Sequence, residues 1–393
     1  MLSGATFPTT DRASPVERIA RIARLVEESG ARNEALGVLA PEVVDSLHEQ
    51  RLFRMLLPRA YGGEEVDVVT WFRALEALGR LDASTAWCVG QINGCAATAS
   101  AVAPVVARTI WGEPRAALSW GPPLKARADD VNGGHRLSGQ WGMSSGSRQA
   151  SWVGLMAPVF DRTGAPVALA HGAPTRTFLV PVSAVELNDD WNVIGLRATA
   201  SGGFKGADLF VPDGFSMLHH HDMGAEIDAP LYKFPLLNMF AIGFSGIAVG
   251  IARTMLDATI RLAIEKKPRM AELTLRDNHH VQFQVGEAEA RLRSARGFVE
   301  TTVAQAWDAV GASGTLGLEH YAAIRMATTF AIHEAKTVGG VAWDIAGATA
   351  IFSASPFERR WRDLNTVTQQ LQGRKSHLQD VGAYLLGLKP NLQ

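Results

Sequence analysis

Cysteine is almost absent from this sequence, and long hydrophobic runs are missing as well. The two cysteines among 393 residues, Cys88 and Cys95, have neither the pattern of a disulfide framework nor a zinc-binding spacing. The apolar stretch from Ile242 to Ile251 is rich in glycine and too short to span a bilayer. The N-terminal residues do not follow the pattern of a secretory signal. We therefore expect a soluble protein of the reducing cytoplasm.

An excess of charge of either sign is also missing. The 38 basic and 39 acidic residues leave a net charge of −1, so charge offers no case for nucleic acid or an anionic membrane as a partner. No glycine-rich phosphate loop of a nucleotide-binding motif occurs, and a nicotinamide domain is not predicted. The consecutive histidines His219–His221 cannot converge on one ion with ordinary geometry, so no metal site is predicted.

What is present divides the chain into three parts. Residues 1–115 show helical periodicity, as in Pro15–Glu28, whose apolar residues share one stripe. Residues 116–232 contain short apolar runs broken by glycine and proline, which is typical of a β-domain. Residues 233–393 contain four long amphipathic stretches, which suggest a four-helix bundle. The predicted fold class is α+β, with the β-domain between two helical domains.

Two segments of the middle part, Leu137–Trp152 and Asp189–Phe215, place tryptophan beside small polar residues. This combination suits a flat cofactor with a polar edge, which needs an aromatic wall and hydrogen bonds to its ring heteroatoms. The two segments therefore predict one side of a cofactor site.

Individual residues of these segments have candidate roles. Trp191 suits the aromatic wall, while Ser144, Ser145 and Gly146 offer hydroxyl and backbone donors to the ring's polar edge. The residues alone leave alternatives open. Trp191 also suits a hydrophobic plug between domains, and the serine–glycine run also suits a simple turn.

The order of helical, β and helical parts resembles the acyl-CoA dehydrogenase superfamily, and local sequences support the resemblance over nearly the whole chain. Tyr61–Gly63 resembles an early turn of these proteins, and Gly317–Asp363 resembles their C-terminal signature. Gly133–Trp152, Trp191–Ser201 and Ala346–Asp363 are closer to one branch. That branch comprises the oxygenase components of two-component flavin-dependent monooxygenases, such as aromatic hydroxylases and dibenzothiophene monooxygenases.

The resemblance implies a fold, a cofactor and partners. It implies a helical domain, a middle β-domain and a C-terminal four-helix bundle. It also implies reduced flavin, as FAD or FMN, with O2 as co-substrate, reacting through a C4a-(hydro)peroxyflavin on a small aromatic or heteroatom-containing molecule. A separate reductase supplies the reduced flavin in this branch. Such chemistry needs a dry slot around the flavin ring.

Further cofactor contacts follow from the resemblance. Trp87 matches a position that lines the flavin pocket of the hydroxylases, and Arg269 matches an arginine that reaches a flavin phosphate across a subunit boundary. Ala346 and Gly347 resemble a segment that approaches the cofactor from a neighbouring subunit, so the resemblance implies a homotetramer. By its own evidence Trp87 is more typical of a core residue, and Arg269 also suits a solvated cation.

The carboxylate base of the acyl-CoA dehydrogenases is missing. In most of them it lies about ten residues after the arginine–aspartate pair that Arg362 and Asp363 resemble, because removing a proton from carbon demands a well-placed base. In this sequence no carboxylate follows that pair until Asp380. The usual dehydrogenase reaction is therefore predicted to be disabled, and Arg362 and Asp363 are predicted to make structural ion pairs.

The histidines that aromatic hydroxylases commonly use are missing as well. Their expected positions hold Gln370 and a residue near Asn93 or Cys95, with His377 seven positions beyond Gln370 as a substitute. We take Asn93, Ser144, Gln370 and His377 as candidates for the substrate side. The loss favours a substrate that needs little help from a base, such as a sulfur or nitrogen nucleophile or an acidic phenol.

Two other functions stay open on the sequence. One is a divergent dehydrogenase or oxidase that takes its base from elsewhere in the chain. The other is a catalytically silent flavin-binding or structural homologue. Flavin-dependent oxygenation is the leading prediction because the β-domain motifs match while the dehydrogenase base is absent.

Overall fold

The computed structural model describes residues 13–218 and 222–390, so His219–His221 lie outside the described residues. The chain begins with five helices. These are α1 (Pro15–Leu36), α2 (Pro41–Glu49), α3 (Val68–Leu81), α4 (Ala83–Ala97) and α5 (Pro104–Trp111).

Side chains of the preceding residues cap three of these helices, α1, α3 and α4. Ser14 forms a reciprocal capping box with Glu17 at the start of α1, which satisfies backbone N–H groups that have no partner within the helix. The Asp67 carboxylate accepts from two amides at the start of α3, and the Asp82 carboxylate caps α4.

The middle of the chain forms two sheets. One has the strand order β1 (Leu118–Gly121), β4 (Trp152–Ala157), β6 (Arg176–Pro181), β9 (Ser216–Met217), and the other has the order β5 (Val159–Phe160), β2 (Pro123–Val131), β3 (Gly134–Trp141), β8 (Phe204–Pro212), β7 (Glu186–Leu187). Strands β2, β3 and β8 pair antiparallel, whereas β1 and β4 pair parallel. Leu137, Val153 and Phe178 form a fully buried apolar core with residues of both sheets.

The last part of the chain is helical again, with α6 (Leu236–Glu265), α7 (His279–Ser313), α8 (Leu318–Ala346), α9 (Glu358–Val367) and α10 (Ser376–Leu385). The predicted fourth long stretch after Pro356 is therefore two helices of 10 residues each. A short 3-10 turn, Leu371–Gly373, separates them. Gln370 caps that turn with its side chain, which accepts a hydrogen bond from the backbone of Gln372 and stabilises the break.

Helix α6 lies at the centre of the molecule and packs against α3, α4, α7 and α8. By length and composition it meets the criteria of a membrane span, but 89% of its most apolar window is buried inside the fold. Within the described residues it therefore has the surroundings of a core helix.

Glycines allow α3 and α6 to approach each other closely. A Cβ atom at Gly246 on α6 would lie 2.6 Å from the carbonyl oxygen of Phe72, and one at Gly79 on α3 would lie 2.7 Å from the carbonyl oxygen of Ile247. Since real Cβ atoms do not come so near to backbone, glycine is required at this contact.

Candidate active site

A cavity of about 470 Å³ lies where α4, α6, the β-domain and residues 366–372 meet. Its walls combine aliphatic and polar side chains with five aromatic ones, Trp87, Trp120, Trp191, Phe240 and Phe244. These side chains come from α4, from β1, from the segment Asp189–Phe215 and from the start of α6. The cavity is large and apolar enough to hold a flat ring system.

No titratable side chain is among the residues that line this cavity in the described part of the chain. The polar side chains that line it are hydroxyls and amides: Gln91, Ser145, Thr199, Ser201, Thr366, Gln369, Gln370 and Gln372. A carboxylate or imidazole able to remove a proton from carbon is therefore missing from the walls. The cavity can position groups and donate or accept hydrogen bonds, but its walls supply no general base.

Trp87 contacts both an aromatic and a polar residue of the lining. Its ring stacks on Phe244 with centroids 4.0 Å apart and an interplanar angle of 4°. Its indole Nε1–H donates to the hydroxyl oxygen of Ser145 at 3.0 Å. Helix α4 thus fixes both a flat surface and one hydrogen bond at the cavity edge.

Three hydroxyls continue from that hydrogen bond. The Oγ atoms of Ser145 and Ser201 are 2.5 Å apart, and Ser201 Oγ lies 2.6 Å from Thr199 Oγ1. Thr199 donates to the carbonyl oxygen of Leu196 at 2.8 Å. Each hydroxyl has one proton, so Ser201 must donate to Thr199 and Ser145 must donate to Ser201. This hydroxyl chain, Ser145–Ser201–Thr199, therefore has no free proton and presents only oxygen lone pairs.

Ser144 and Gly146 flank Ser145, but neither is among the residues that line the cavity. The Ser144 hydroxyl is fully buried and lies 3.1 Å from Ser119 Oγ. The Gly146 amide donates to the carbonyl oxygen of Thr199 at 3.1 Å. Gly146 has a φ of +77°, which other residues rarely adopt. These two residues shape the turn that places Ser145, so the turn that the sequence left as an alternative is present beside the site.

Trp191 lines the cavity, and the segment after it is held by α9. The indole Nε1–H of Trp191 donates to the carbonyl oxygen of Leu196 at 3.0 Å, and the amide of Leu196 donates to Asp363 Oδ1 at 2.6 Å. Burial raises the pKa of the Asp363 carboxyl to about 7. Arg362 makes ion pairs with Glu34 and Glu358, as the sequence predicted, whereas Asp363 bonds to backbone.

Gln370 also lines the cavity. Its Oε1 accepts from the backbone amide of Gln372 at 2.6 Å. Its Nε2 is buried and has no partner in the described part of the chain. An unpartnered buried donor beside a cavity indicates a place for a ligand or water acceptor.

Asn93 and His377 lie outside the cavity. Asn93 is fully buried, and its amide bonds to the backbone of Leu52, Leu56 and Val89 at 2.7 to 3.0 Å. The His377 ring nitrogen Nε2 lies 2.8 Å from the carbonyl oxygen of Leu371, and burial lowers the pKa of the imidazole. Both side chains bind backbone instead of facing a substrate, so their positions do not support the predicted substrate-side roles.

Arg269, Ala346 and Gly347 lie at the far end of α6. Phe244 and Glu265, the last residue of α6, are about 30 Å apart along the helix axis. Arg269 is exposed and makes no ion pair within the described residues, and Gly347 is exposed with a φ of +54°. Ala346 accepts a hydrogen bond from Lys266 Nζ at 2.7 Å. Within one copy of the chain, these residues do not reach the cavity.

Several lining residues were missed by the sequence analysis. Thr199 and Ser201 follow Trp191 in a segment that was singled out, so their small polar side chains were a usable signal. Phe240 and Phe244 gave no such signal, because an aromatic pair four residues apart on an apolar helix is more often core. No group of three or more metal-ligating side chains occurs among the described residues.

Comparison with known proteins identifies the family. Residues 16–103 match the family model "Acyl-CoA dehydrogenase, N-terminal domain", and residues 242–372 match "Acyl-CoA dehydrogenase, C-terminal domain". The chain belongs to the acyl-CoA dehydrogenase family, and the predicted fold class is confirmed.

Similar proteins within that family are flavin-dependent monooxygenases. Indole-3-acetate monooxygenase of Pseudomonas putida is 27% identical over 90% of this chain and 88% of its own length. The oxygenase component of an FADH2-dependent resorcinol hydroxylase from Rhizobium sp. is also 27% identical, over 96% of this chain and 95% of its own.

A crystal structure agrees with these relatives. The HsaA monooxygenase from Mycobacterium tuberculosis has a TM-score of 0.87 at 25% identity, covering 97% of this chain and 99% of its own. The predicted enzyme class, an oxidoreductase of the flavin-dependent monooxygenase type that uses reduced flavin, is confirmed.

Proposed function

We propose that this chain is the oxygenase component of a two-component monooxygenase. It takes reduced FAD or FMN from a separate reductase and uses O2 to oxygenate a small aromatic or heteroatom-containing substrate. The observation that carries the proposal is the cavity, whose walls include five aromatic side chains and hold no titratable side chain in the described part of the chain. Such walls disfavour the dehydrogenase alternative, which needs a base.

The residues at the cavity fit a reduced flavin. Trp87 and Trp191 supply flat apolar surface for a ring system, and the hydroxyl chain presents lone pairs. A reduced flavin carries ring N–H groups, which need acceptors of this kind when they leave water. Trp87, Ser145, Trp191, Thr199 and Ser201 are therefore the residues that would hold it.

When bound, reduced flavin supplies the two electrons that allow one atom of O2 to enter the substrate while the other leaves as water. The chain's own residues exclude bulk water with their aromatic side chains, which suppresses the side reaction that releases hydrogen peroxide. They also orient the substrate against the polar wall at residues 369–372. The absence of a base in the walls favours substrates that are already electron-rich, as resorcinol is.

The proposal includes the assembly and the location. A homotetramer would bring Arg269, Ala346 and Gly347 of one copy to the cavity of another. This would give a partner to Arg269, which is exposed and makes no ion pair within the described residues. A cytoplasmic location accords with Cys88 and Cys95, which are buried and unpaired.

Isotope labelling tests the function. The protein is loaded anaerobically with photoreduced FAD or FMN and mixed with ¹⁸O₂ and a panel containing indole-3-acetate, resorcinol and a thiophene. We expect one labelled oxygen atom in a product for each flavin oxidised, detected by mass spectrometry. A matched reaction without protein gives only hydrogen peroxide. Release of peroxide alone with every panel member, or anaerobic bleaching of oxidised flavin by an acyl-CoA, would overturn the proposal.

A further inference from the structure

A buried arginine lies directly behind the polar wall of the cavity. Arg325 on α8 is only 1% exposed, and its Nη1 donates to Oε1 of Gln372, a residue that lines the cavity. Arg325 makes no ion pair with a carboxylate among the described residues, and its Nη2 is buried without a partner. A buried guanidinium that lacks a counter-ion is uncommon because its desolvation is costly.

The groups around Arg325 leave its charge uncompensated. The Asp380 carboxylate acts on it from a distance, and the Tyr321 hydroxyl also favours its charged form. The neighbouring His377 is held neutral because burial lowers the pKa of its imidazole. Burial likewise lowers the pKa of Arg325, as expected when a cation has too few compensating groups.

Arg325 also fixes the orientation of the Gln372 amide. A guanidinium has donors and no acceptor, so the amide must turn its oxygen toward Arg325. The NH2 group of Gln372 is then directed away from Arg325. Gln372 therefore offers the cavity a hydrogen-bond donor and not an acceptor.

Gln370 is oriented in the same sense. Its Oε1 is held by the backbone amide of Gln372, which leaves the unpartnered Nε2 as its remaining group. Two amide donors on one wall, with a cation behind them, form a site for a negatively charged oxygen. The hydroxyl chain, which also lines the cavity, offers acceptors.

We propose that the substrate binds with an anionic oxygen, either a phenolate or a carboxylate on an aromatic ring, against the amide groups of Gln370 and Gln372, with Arg325 as the positioning residue. The inference deepens the proposed function and rests on it. A phenol would lose its proton to water before binding, so the walls need no base. The bound phenolate is then electron-rich enough to be oxygenated.

Binding of the substrate as a phenolate is tested with 4-cyanophenol, whose anion has a distinct ultraviolet absorption. It is titrated with pH by difference absorption in the anaerobic complex of protein with reduced flavin. We expect the pKa of the bound phenol to fall by at least one unit, which is a tenfold preference for the anion. Binding of the substrate through a carboxylate is tested by comparing phenylacetate with neutral phenylacetamide. If the site binds a carboxylate, phenylacetate should bind about tenfold more tightly.

Two variants locate the effect. Arg325→Met removes the cation, and Gln372→Glu keeps the side-chain shape while its carboxylate pairs with Arg325. Both should abolish the preference for the anion, and the second guards against a simple folding failure of the first. Arg374→Gln is the matched control, because it removes an exposed arginine from the same segment, whose charge water screens.

The outcomes separate the inference from the proposed function. If the wild-type protein binds reduced flavin but shows neither a lowered pKa of the bound phenol nor a preference for phenylacetate, the anion site is wrong and the oxygenase function stands. An equal loss of preference in Arg374→Gln would also overturn the role of Arg325. If reduced flavin itself does not bind, the proposed function fails.

Discussion

At the scale of the residue, the hydroxyl chain has a direction. Ser145 donates to Ser201, Ser201 donates to Thr199, and Thr199 donates to the carbonyl oxygen of Leu196. At the other end of the chain, Trp87 donates to Ser145. The middle member has no alternative partner, so its loss leaves Ser145 without its acceptor and Thr199 without its donor. The chain is therefore sensitive to a single substitution.

Ser201→Ala tests this direction. With its acceptor removed, the Ser145 proton becomes free to face the cavity and opposes the N–H groups of the reduced flavin. We expect the affinity for reduced flavin, measured anaerobically by fluorescence titration, to fall about threefold to tenfold, as for one hydrogen bond. Ser313→Ala removes an exposed hydroxyl that bonds to its own helix and serves as control. An unchanged affinity in Ser201→Ala would show that the chain does not contact the flavin.

Asp363 makes stability depend on pH near neutrality. The pKa of its carboxyl is raised from 3.8 to about 7 by burial in the folded state, so the folded protein binds a proton that the unfolded chain has already released above pH 4. Stability from this group is present below the unfolded value and is lost as pH rises toward 7, by at most about 1.4 kcal/mol per pH unit.

Asp363→Asn removes that dependence while keeping an oxygen to accept from Leu196. We expect the denaturation midpoint of the variant to rise relative to wild type between pH 5 and pH 7 and then to level off, measured by urea unfolding. Glu358→Gln is a contrasting control. Arg362 lowers the pKa of the Glu358 carboxyl, so this substitution should change the pH dependence of stability only at acidic pH. Parallel midpoints for Asp363→Asn and wild type across this range would contradict the prediction.

The roles of the candidate residues remain predictions, but Trp87, Ser145, Trp191 and Gln370 line the cavity. Asn93 does not, because a buried amide on α4 satisfies itself with nearby backbone, and nothing in the sequence reveals which way α4 is rotated. The role of Gln372 could not be predicted either, because the orientation of its side chain depends on Arg325, which is 47 residues away in the sequence.

At the scale of the element, the glycines between α3 and α6 set the helix separation. Gly246→Ala would bring a Cβ to within 2.6 Å of the Phe72 carbonyl oxygen. We expect a loss of about 1–3 kcal/mol in the free energy of unfolding, because neither backbone can move without disturbing the core.

Gly286→Ala on α7 is the matched control for that contact. A Cβ there meets nothing within 4 Å, and alanine favours the helix by up to about 1 kcal/mol. Chemical denaturation of both variants measures the contrast. If both glycines tolerated alanine equally, the close approach of α3 and α6 would be disproved.

Element boundaries were predictable where local signals exist. Proline at the first position and capping residues mark α1, α2 and α4 in the sequence, and the structure begins them there. The break between α9 and α10 was missed, because a glutamine cap on a 3-10 turn depends on a side-chain bond that composition does not reveal. This break matters most for function, since it forms the polar wall.

At the scale of the whole molecule, the two ends of α6 have different predicted roles. One end contributes Phe240 and Phe244 to the cavity, and the other carries Arg269, which the proposed homotetramer brings to another copy's flavin phosphate. Family resemblance alone gave this expectation, because a single chain does not contain the surface that Arg269 would meet.

Arg269→Ala tests the assembly. We expect reduced-flavin affinity to fall at least tenfold, as for loss of a charge-assisted hydrogen bond of about 1.5 kcal/mol or more, with the mass by analytical ultracentrifugation unchanged at four chains. Arg24→Ala, which removes an exposed arginine on α1, is the control and should bind flavin normally. A monomeric wild-type protein with full flavin affinity would rule out the shared site.

The glycine contact between α3 and α6 also bears on how this enzyme can acquire new substrates. Because backbone contact with α3 fixes how closely α6 packs, we expect the face formed by Phe240 and Phe244 to keep its place from one variant to the next. The turn Leu371–Gly373, of which Leu371 and Gln372 also line the cavity, is short and capped by a single glutamine side chain. Directed evolution or natural drift toward a new substrate should therefore accumulate changes at residues 369–372, while α6 serves as the constant template against which they are selected.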